Sequence, residues 1–138
     1  MRNRLNLLLA GAAAICSLTA YADIPQFKDT RCISVTKTGK QGRVVSCRAE
    51  AVVSAPRPNL PDTRSVSYRI GSRIHTFTAD YDAQTQQWKP EYQGKAAEVY
   101  YRSRGFKRLK QESAAARYTC FKAGTLHFCA PKEPAPFW

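Results

Sequence analysis

The sequence is poor in acidic residues, in helical periodicity and, beyond residue 22, in long apolar runs. It has 10 Asp and Glu residues and 22 Lys and Arg residues, which gives a formal net charge of +12 at neutral pH. It has no Walker loop, no G-x-S-x-G nucleophile motif and no paired-acid arrangement. We therefore expect a protein that is not an enzyme and that needs neither a cofactor nor a metal. No segment after residue 22 predicts a membrane-spanning helix.

Residues 1–22 have the pattern of an export signal. Arg2 and Arg4 form a basic start, an apolar stretch follows, and residues 20–22 (AYA) provide a small-x-small cleavage pattern. The sequence predicts cleavage after Ala22 and a mature chain in the periplasm of a Gram-negative envelope. A retained anchor is the alternative, but the apolar run is shorter than the roughly 20 residues that a span needs.

The expected mature chain is a single basic domain. It has about 116 residues, enough for one modest core that would gain from cross-links. Loss of Arg2 and Arg4 with the leader leaves a net charge near +10. Such a charge attracts polyanions, which in an envelope include lipopolysaccharide, peptidoglycan and incoming DNA, as well as acidic protein surfaces. Solubility alone is the other explanation of the charge.

The cysteines predict disulfide bonds. Cys16 lies in the leader, which leaves four cysteines, an even number in an exported protein. A zinc site is the alternative, but the spacings lack the close pairs of structural zinc sites. The turn positions favour joining the first remaining cysteine with the second and the third with the fourth. In chain order these four are Cys32, Cys47, Cys120 and Cys129.

Residues 117–131 are predicted to form a β-hairpin. Its two-residue turn, Gly124-Thr125, has glycine first, as a type II′ turn requires. In that register Cys120 lies opposite Cys129 on a non-hydrogen-bonded rung, where Cα atoms come closest. The predicted disulfide therefore closes the hairpin.

Residues 64–79 predict a second hairpin of the same kind, with its turn at Gly71-Ser72. One strand face is then apolar and the other polar, which is typical of a sheet with one buried side. The face expected to be buried carries Val66, Tyr68, Ile70, His75 and Phe77.

Residues 31–53 predict a further hairpin near the start of the mature chain. A turn at residues 39–40 would set Cys32 opposite Cys47. This rung is a hydrogen-bonded one, and a bulge or a longer loop through Gly42 would shift it.

Two other stretches have less regular patterns. Residues 80–94 are polar, carry Trp88 and Tyr92, and are predicted to form a long surface loop suited to recognition. Residues 112–117 (ESAAAR) predict a single helical turn, because alanine is the best helix former.

Two proline-rich segments are expected to be extended. Residues 55–62 hold three prolines and should form a loop with little ladder pairing. Residues 131–138 form a tail whose last two residues, Phe137 and Trp138, are candidates for docking on a partner or on the domain.

The run of short strands and glycine-first turns predicts an all-β fold. We expect a small antiparallel sheet, a sandwich or a partial barrel of hairpins with two disulfides. The predicted organisation is a leader over residues 1–22, one disulfide-bonded β domain over residues 23–130, and a proline-rich tail over residues 131–138.

Residues 100–110 form the densest basic segment and alternate cations with aromatic rings. Cations neutralise phosphates and aromatic rings stack on bases, so the segment suits single-stranded nucleic acid or an anionic glycan. The alternative is a hairpin whose Lys and Arg keep a sheet edge soluble. The candidate binding residues are Tyr100, Tyr101, Arg102, Arg104, Phe106, Lys107, Arg108 and Lys110.

Residues 68–82, YRIGSRIHTFTADYD, resemble the C-terminal β portion of the glycine-zipper surface antigens of Gram-negative envelopes. In that family a similar hairpin leads to a Tyr-Asp turn. This chain differs in having Ser72 between Gly71 and Arg73 and no Pro-Gly after Asp82, and it lacks the glycine zipper and the lipid anchor. The resemblance implies an envelope β-module and transfers no site residue.

The sequence is compatible with three functions. The first is a non-enzymatic accessory protein of an envelope assembly such as a type IV pilus, a secretion system or a DNA-uptake machine, with an envelope protein as its partner. The second is a binder of DNA, peptidoglycan or lipopolysaccharide through residues 100–110. The third is an inhibitor of a lysozyme-type hydrolase that uses residues 80–94 as a plug. Small periplasmic lysozyme inhibitors are similar in size and in their disulfide-bonded β-structure.

Overall fold

The structure, a computed structural model, describes residues 27–53 and 58–132. The predicted export signal, residues 55–57 of the proline-rich loop, and the tail residues Phe137 and Trp138 lie outside the described residues. In the two described ranges all regular secondary structure is β-strand, and no helix there is long and apolar enough to cross a membrane.

The described chain forms one antiparallel sheet. Its strands are β1 (Lys28–Val35), β2 (Gln41–Val53), β3 (Thr63–Ile70), β4 (Arg73–Asp82), β5 (Gln87–Tyr92), β6 (Lys95–Ala96), β7 (Glu98–Ser103), β8 (Arg108–Leu109), β9 (Ala116–Ala123) and β10 (Leu126–Pro131). They join in the order β6-β5-β4-β3-β2-β1-β10-β9-β7-β8. The sheet curls into a half-barrel, which confirms the predicted all-β fold.

The two ends of the sheet are adjacent because the chain joins them directly. β6 ends at Ala96 and β7 begins at Glu98, although the two strands lie towards opposite ends of the sheet order. Two Cα steps span at most roughly 7.6 Å, so the sheet has to curl. The N–H of Ala97 donates to the carbonyl oxygen of Pro90 at 2.9 Å and continues the pairing of β5 with β6.

Two hairpins have the registers that their glycine-first turns predict. In β3–β4, Tyr68 lies opposite His75. In β9–β10, Cys120 lies opposite Cys129, and their Cα atoms are 4.0 Å apart. The glycine that begins each turn has a positive φ, 61° in β3–β4 and 57° in β9–β10, which residues with a Cβ seldom adopt.

The β1–β2 hairpin has the predicted disulfide but not the predicted register. Cys32 lies opposite Val45, and Cys47 lies opposite Thr30. The cysteines are therefore diagonal neighbours whose Cα atoms are 5.8 Å apart. The prediction of a direct Cys32–Cys47 rung was wrong by two residues, whereas the pairing of these cysteines is confirmed.

The position of the turn is the physical reason for this shift. The N–H of Thr36 donates to the carbonyl oxygen of Lys40, and the N–H of Gly39 donates to that of Thr36, each at 2.9 Å, so the turn is centred on residues 37–39 and not on residues 39–40.

A β-bulge next to Gly42 then moves the pairing back by one residue. The pairing of β1 with β2 is irregular between Ile33 and Val35. Ser34, inside the irregular stretch, accepts a hydrogen bond at its Oγ from the N–H of Arg43 at 2.8 Å. A Cβ on Gly42 would come within 3.0 Å of the Ser34 carbonyl oxygen, so the close approach requires glycine.

The prediction of a long surface loop over residues 80–94 was wrong, because most of this segment is the β4–β5 hairpin. β5 pairs along its whole length with the second half of β4. Pro90 does not interrupt the pairing, because its backbone polar atoms face Ala97 and not β4. The turn contains Gln86 at a φ of 56°, so it lacks the usual glycine signal.

The predicted helical turn over residues 112–117 was also wrong. Ala116 is buried, and it begins strand β9 by pairing with Ser103 of β7. Six residues are too few for a helix to be stable by propensity alone, so sheet pairing determines the conformation.

An aromatic cluster fills the inner face of the half-barrel. Phe121 is fully buried, and its ring centroid lies 5.1 Å from that of Tyr68, 4.8 Å from that of Phe77 and 5.4 Å from that of Phe128. Such ring pairs contribute about 0.5–1.5 kcal/mol each beyond area burial. The disulfide between β1 and β2 packs into the same cluster.

A smaller cluster lies on the outer face of β7, β9 and β10. Alternation along β9 directs Phe121 inward and Cys120 outward. The disulfide between β9 and β10 is therefore buried on the outer face, under Tyr100, with Val35, Phe106 and Tyr118 around it. The two disulfides stabilise opposite faces of one sheet and are typical of proteins in oxidising compartments.

Candidate functional site

A cleft of about 640 Å³ opens on the outer face, next to the smaller cluster. It is framed by the β1–β2 turn at residues 36–39, by β7, and by the β9–β10 turn at Gly124 and Thr125. These segments are far apart in sequence, and the pairings of β1 with β10 and of β9 with β7 bring them together. The volume lies in the range of small-ligand sites in proteins.

Arg102 lines the cleft and is only 7% exposed. Its Nη1 donates to the carbonyl oxygens of Gly39 and Phe106, each at 2.9 Å. Its Nε and Nη2 donate to the hydroxyl oxygen of Tyr100 at 3.3 and 3.0 Å. These four acceptor contacts join the β1–β2 turn and the β7–β8 turn to strand β7, and every acceptor is uncharged.

The charge of Arg102 is not neutralised by a carboxylate of the described residues. Arg108 pairs with Glu98, and its guanidinium lies 4.1 Å from the centroid of the Tyr100 ring. A buried charge is screened less than an exposed one, so its field extends into the cleft. Three further permanent cations line the cleft: Lys37, Arg108 and Lys122.

His127 borders the cleft, and its surroundings disfavour its protonated form. Its Nε2 lies 2.6 Å from the hydroxyl oxygen of Tyr100. Burial first, and then the nearby charges of Lys122 and Arg102, lower the pKa of His127 below its usual value. Each of these effects disfavours the imidazolium form and outweighs the nearby Glu98 charge, which favours it.

The β7–β8 turn holds an aromatic residue in the left-handed region. Phe106 has a φ of 65°, which bulky residues seldom adopt. Its N–H donates to the carbonyl oxygen of Ser103 at 2.9 Å. Its ring centroid lies 4.6 Å from the Arg102 guanidinium and 5.6 Å from the Tyr118 ring. These contacts offset the backbone strain and fix the turn against Arg102.

The structure brings together part of the predicted basic binding segment. Tyr100, Arg102 and Arg108 line the cleft, and Phe106 packs on Arg102. Tyr101 faces the other side of the sheet, where it packs against the aromatic cluster. The remaining basic residues of the segment are exposed and do not line the cleft: Arg104, Lys107 and Lys110.

Several residues of the cleft were not predicted as site residues. Lys37 lies on the β1–β2 turn, and Lys122 and His127 lie on β9 and β10. The register predicted for residues 117–131, with its turn at Gly124-Thr125, also sets His127 opposite Lys122, and the structure confirms this pair. No local pattern could have linked these residues to Arg102, because only the fold brings them near it.

Trp88 and Tyr92 are not on a surface loop but on β5, where both pack against the aromatic cluster. The Tyr92 hydroxyl lies 2.9 Å from Nδ1 of His75, and the Arg64 guanidinium lies 4.2 Å from the Trp88 ring. A second cavity, of about 180 Å³, lies beside Trp88 and Tyr101. Burial and the nearby Glu112 charge raise the pKa of Tyr101 to about 12.

Comparisons of the chain with protein-family models, with curated proteins and with solved structures found no match. The resemblance of residues 68–82 to the glycine-zipper antigens therefore stays a prediction. Function has to be inferred from the charges, hydrogen bonds and shape of the cleft.

Proposed function

We propose that this protein is a non-enzymatic binding protein that holds an anionic polymer in the cleft lined by Arg102. The observation that carries the proposal is the buried Arg102 guanidinium, whose hydrogen-bond acceptors are all neutral. Burying a charge without a counter-charge costs free energy. An anion in the cleft would offset part of this cost, and Lys37 and Lys122 would add to the attraction.

The net charge and the disulfides support this proposal. The formal net charge is +12 for the full sequence and near +10 without the leader, and such a charge attracts polyanions over a distance and speeds their association. Two disulfides in the described residues favour an exported protein. Together with the leader pattern over residues 1–22, they lead us to propose the periplasm as its location.

The two other hypotheses from the sequence have less support. An accessory role at a type IV pilus, a secretion system or a DNA-uptake machine stays a prediction, because no described contact favours a particular protein partner. The hydrolase-inhibitor hypothesis relied on a plugging loop at residues 80–94, and this segment contains the β4–β5 hairpin instead.

The test is to measure how strongly the oxidised protein, purified from expressing cells, binds two labelled polyanions. We choose a heparin oligosaccharide and a single-stranded DNA of similar charge. Affinity should fall by about tenfold or more between about 50 and about 200 mM salt. The double variant Lys37→Ala, Lys122→Ala should weaken binding of at least one polyanion by about tenfold.

The matched control is the double variant Lys107→Ala, Lys110→Ala. It removes the same two charges from exposed positions outside the cleft and should weaken binding by less than about threefold. Equal losses in the two double variants would assign binding to diffuse surface charge and overturn the proposed site. Absence of binding to both polyanions at low salt would overturn the proposed function itself.

A further inference from the structure

Threonine hydroxyls line the cleft beside its cations. Thr36 and Thr38 lie on the β1–β2 turn, and Thr125 lies on the β9–β10 turn. The Thr36 Oγ1 accepts from the N–H of Lys40 at 3.0 Å and lies 3.1 Å from the Thr38 Oγ1. The turn therefore holds both hydroxyls in fixed positions. A hydroxyl both donates and accepts hydrogen bonds, so these groups complement the hydroxyls of a sugar.

The aromatic rings of the basic segment are not available for stacking on bases. Tyr100 is only 5% exposed, and the Arg108 guanidinium lies over its ring. The Phe106 ring lies against Arg102 and Tyr118. Tyr101 faces the inner side of the sheet. Proteins that bind single-stranded nucleic acid without sequence preference rely on free aromatic faces, which this cleft does not offer among its described lining residues.

The Arg102 guanidinium retains capacity for a ligand. A guanidinium has five N–H groups. The four hydrogen bonds of Arg102 to Tyr100, Gly39 and Phe106 leave one N–H of Nη2 without an acceptor in the described residues. The four hydrogen bonds fix the orientation of the guanidinium, so the remaining N–H is already positioned to donate to an anion.

We infer that the cleft binds an anionic sugar, meaning a saccharide unit that carries a phosphate or carboxylate group. The anionic group lies towards Arg102, Arg108 and Lys122, and the sugar hydroxyls lie towards the threonines of the two turns. The cleft volume of about 640 Å³ accommodates such a unit, whereas a lone phosphate would fill little of it. This inference rests on the proposed function, because it names the chemical class of the polymer that the cleft would hold.

The first experiment compares four probes by ¹H–¹⁵N NMR titration of the oxidised protein. The probes are glucose 6-phosphate, inorganic phosphate, glucose, and a thymidine trinucleotide whose charge is similar to that of the sugar phosphate. Glucose 6-phosphate should bind at least about tenfold more tightly than each of the other three. The largest chemical-shift changes should occur at residues 36–39, at Thr125 and at the side-chain Nε–H of Arg102.

The second experiment removes hydroxyls without changing charge. The double variant Thr38→Val, Thr125→Val should weaken glucose 6-phosphate binding by about fivefold or more and leave inorganic phosphate binding unchanged. Thr78→Val is the matched control, because Thr78 is an exposed strand residue away from the cleft. It should leave both affinities unchanged, and the amide spectra should show that all variants are folded.

The outcomes separate this inference from the proposed function. Equal affinities for glucose 6-phosphate and inorganic phosphate, or tighter binding of the trinucleotide, would overturn the anionic-sugar assignment while leaving polyanion binding in the cleft intact. Loss of phosphate binding together with sugar-phosphate binding in the threonine variant would also overturn it. Failure of both heparin and DNA to bind would overturn the proposed function as well.

Discussion

The hydroxyl oxygen of Tyr100 lies 2.6 Å from Nε2 of His127 and accepts two hydrogen bonds from Arg102. A guanidinium can only donate, so the Tyr100 proton has to point towards His127. His127 Nε2 is therefore an acceptor, and the imidazole carries its proton on Nδ1. Protonation of Nε2 would set its N–H against the O–H of Tyr100, whose oxygen already accepts two hydrogen bonds from Arg102.

This arrangement predicts that the protein loses stability at mildly acidic pH. Lys122, Arg102 and Arg108 disfavour the imidazolium of His127, Glu98 favours it, and burial makes the largest contribution to the lowered pKa. Because the folded-state pKa is below the ordinary value of 6.5, the stabilisation is fully present above that pH. It is lost as the pH falls through the folded-state pKa.

The measurement is urea unfolding between about pH 7.5 and about pH 5, with His127→Gln as the informative variant. Glutamine keeps an acceptor for Tyr100 but does not titrate, so the fall in unfolding free energy should be smaller in the variant. It should not vanish, since burial and Arg73 also lower the pKa of His75. An identical fall in both proteins would contradict the assigned proton positions.

Arg102→Met should destabilise the protein by about 2–4 kcal/mol, because the carbonyl groups of Gly39 and Phe106 would lose their donor at partly buried positions. Arg104→Met is the matched control. Arg104 is exposed, so its change should stay within about 0.5 kcal/mol. Denaturant unfolding at neutral pH gives both values. A loss of the same size in the two variants would contradict the structural role of Arg102.

The sequence was sufficient to predict the local hairpins. The turns at Gly71 and Gly124 each have glycine at the first of two turn residues, and this pattern fixes both turn type and register. The same logic failed by two residues in β1–β2, because the turn there is centred on residues 37–39 and a bulge next to Gly42 then moves the pairing by one residue. Turn chemistry predicts a register only where the sequence identifies the turn residues and both strands are regular.

The remaining errors have tertiary causes. Residues 80–94 show neither helical nor strand period, and Pro90 fits into β5 only because its backbone polar atoms face Ala97 and not β4. The local helix preference around Ala116 was overridden by pairing with β7. The cleft could not be predicted, because Arg102 meets Gly39 across a long sequence separation.

The outer-face disulfide should matter more for the cleft than the inner-face one. Removing either disulfide should lower the free energy of unfolding by about 3 kcal/mol. The two variants are Cys120→Ala with Cys129→Ala, and Cys32→Ala with Cys47→Ala. Only the first pair packs against Tyr100, so only its loss should weaken polyanion binding of the folded variant.

Peptide mapping without reduction should recover the Cys32–Cys47 and Cys120–Cys129 disulfides. A crossed connectivity would contradict the hairpin registers.

Phe121→Ala should lower the free energy of unfolding by about 3–5 kcal/mol, because Phe121 is fully buried and contacts three aromatic rings. Val44→Ala is the control. Val44 is 44% exposed, so its truncation should cost no more than about 0.5 kcal/mol. Denaturant unfolding distinguishes the two, and equal costs would contradict the assignment of the core.

The pairing of β1 with β10 joins residues from opposite ends of the described chain, with Ile33 opposite Cys129. Hairpins form in about 1–10 μs, whereas this pairing has to close almost the whole domain into a loop. We expect it to limit the folding rate, so Ile33→Val should slow refolding in a stopped-flow experiment with both disulfides intact, while unfolding stays nearly unchanged. The cleft would then form only in the slowest step, and a chain whose hairpins have formed but not joined would lack it.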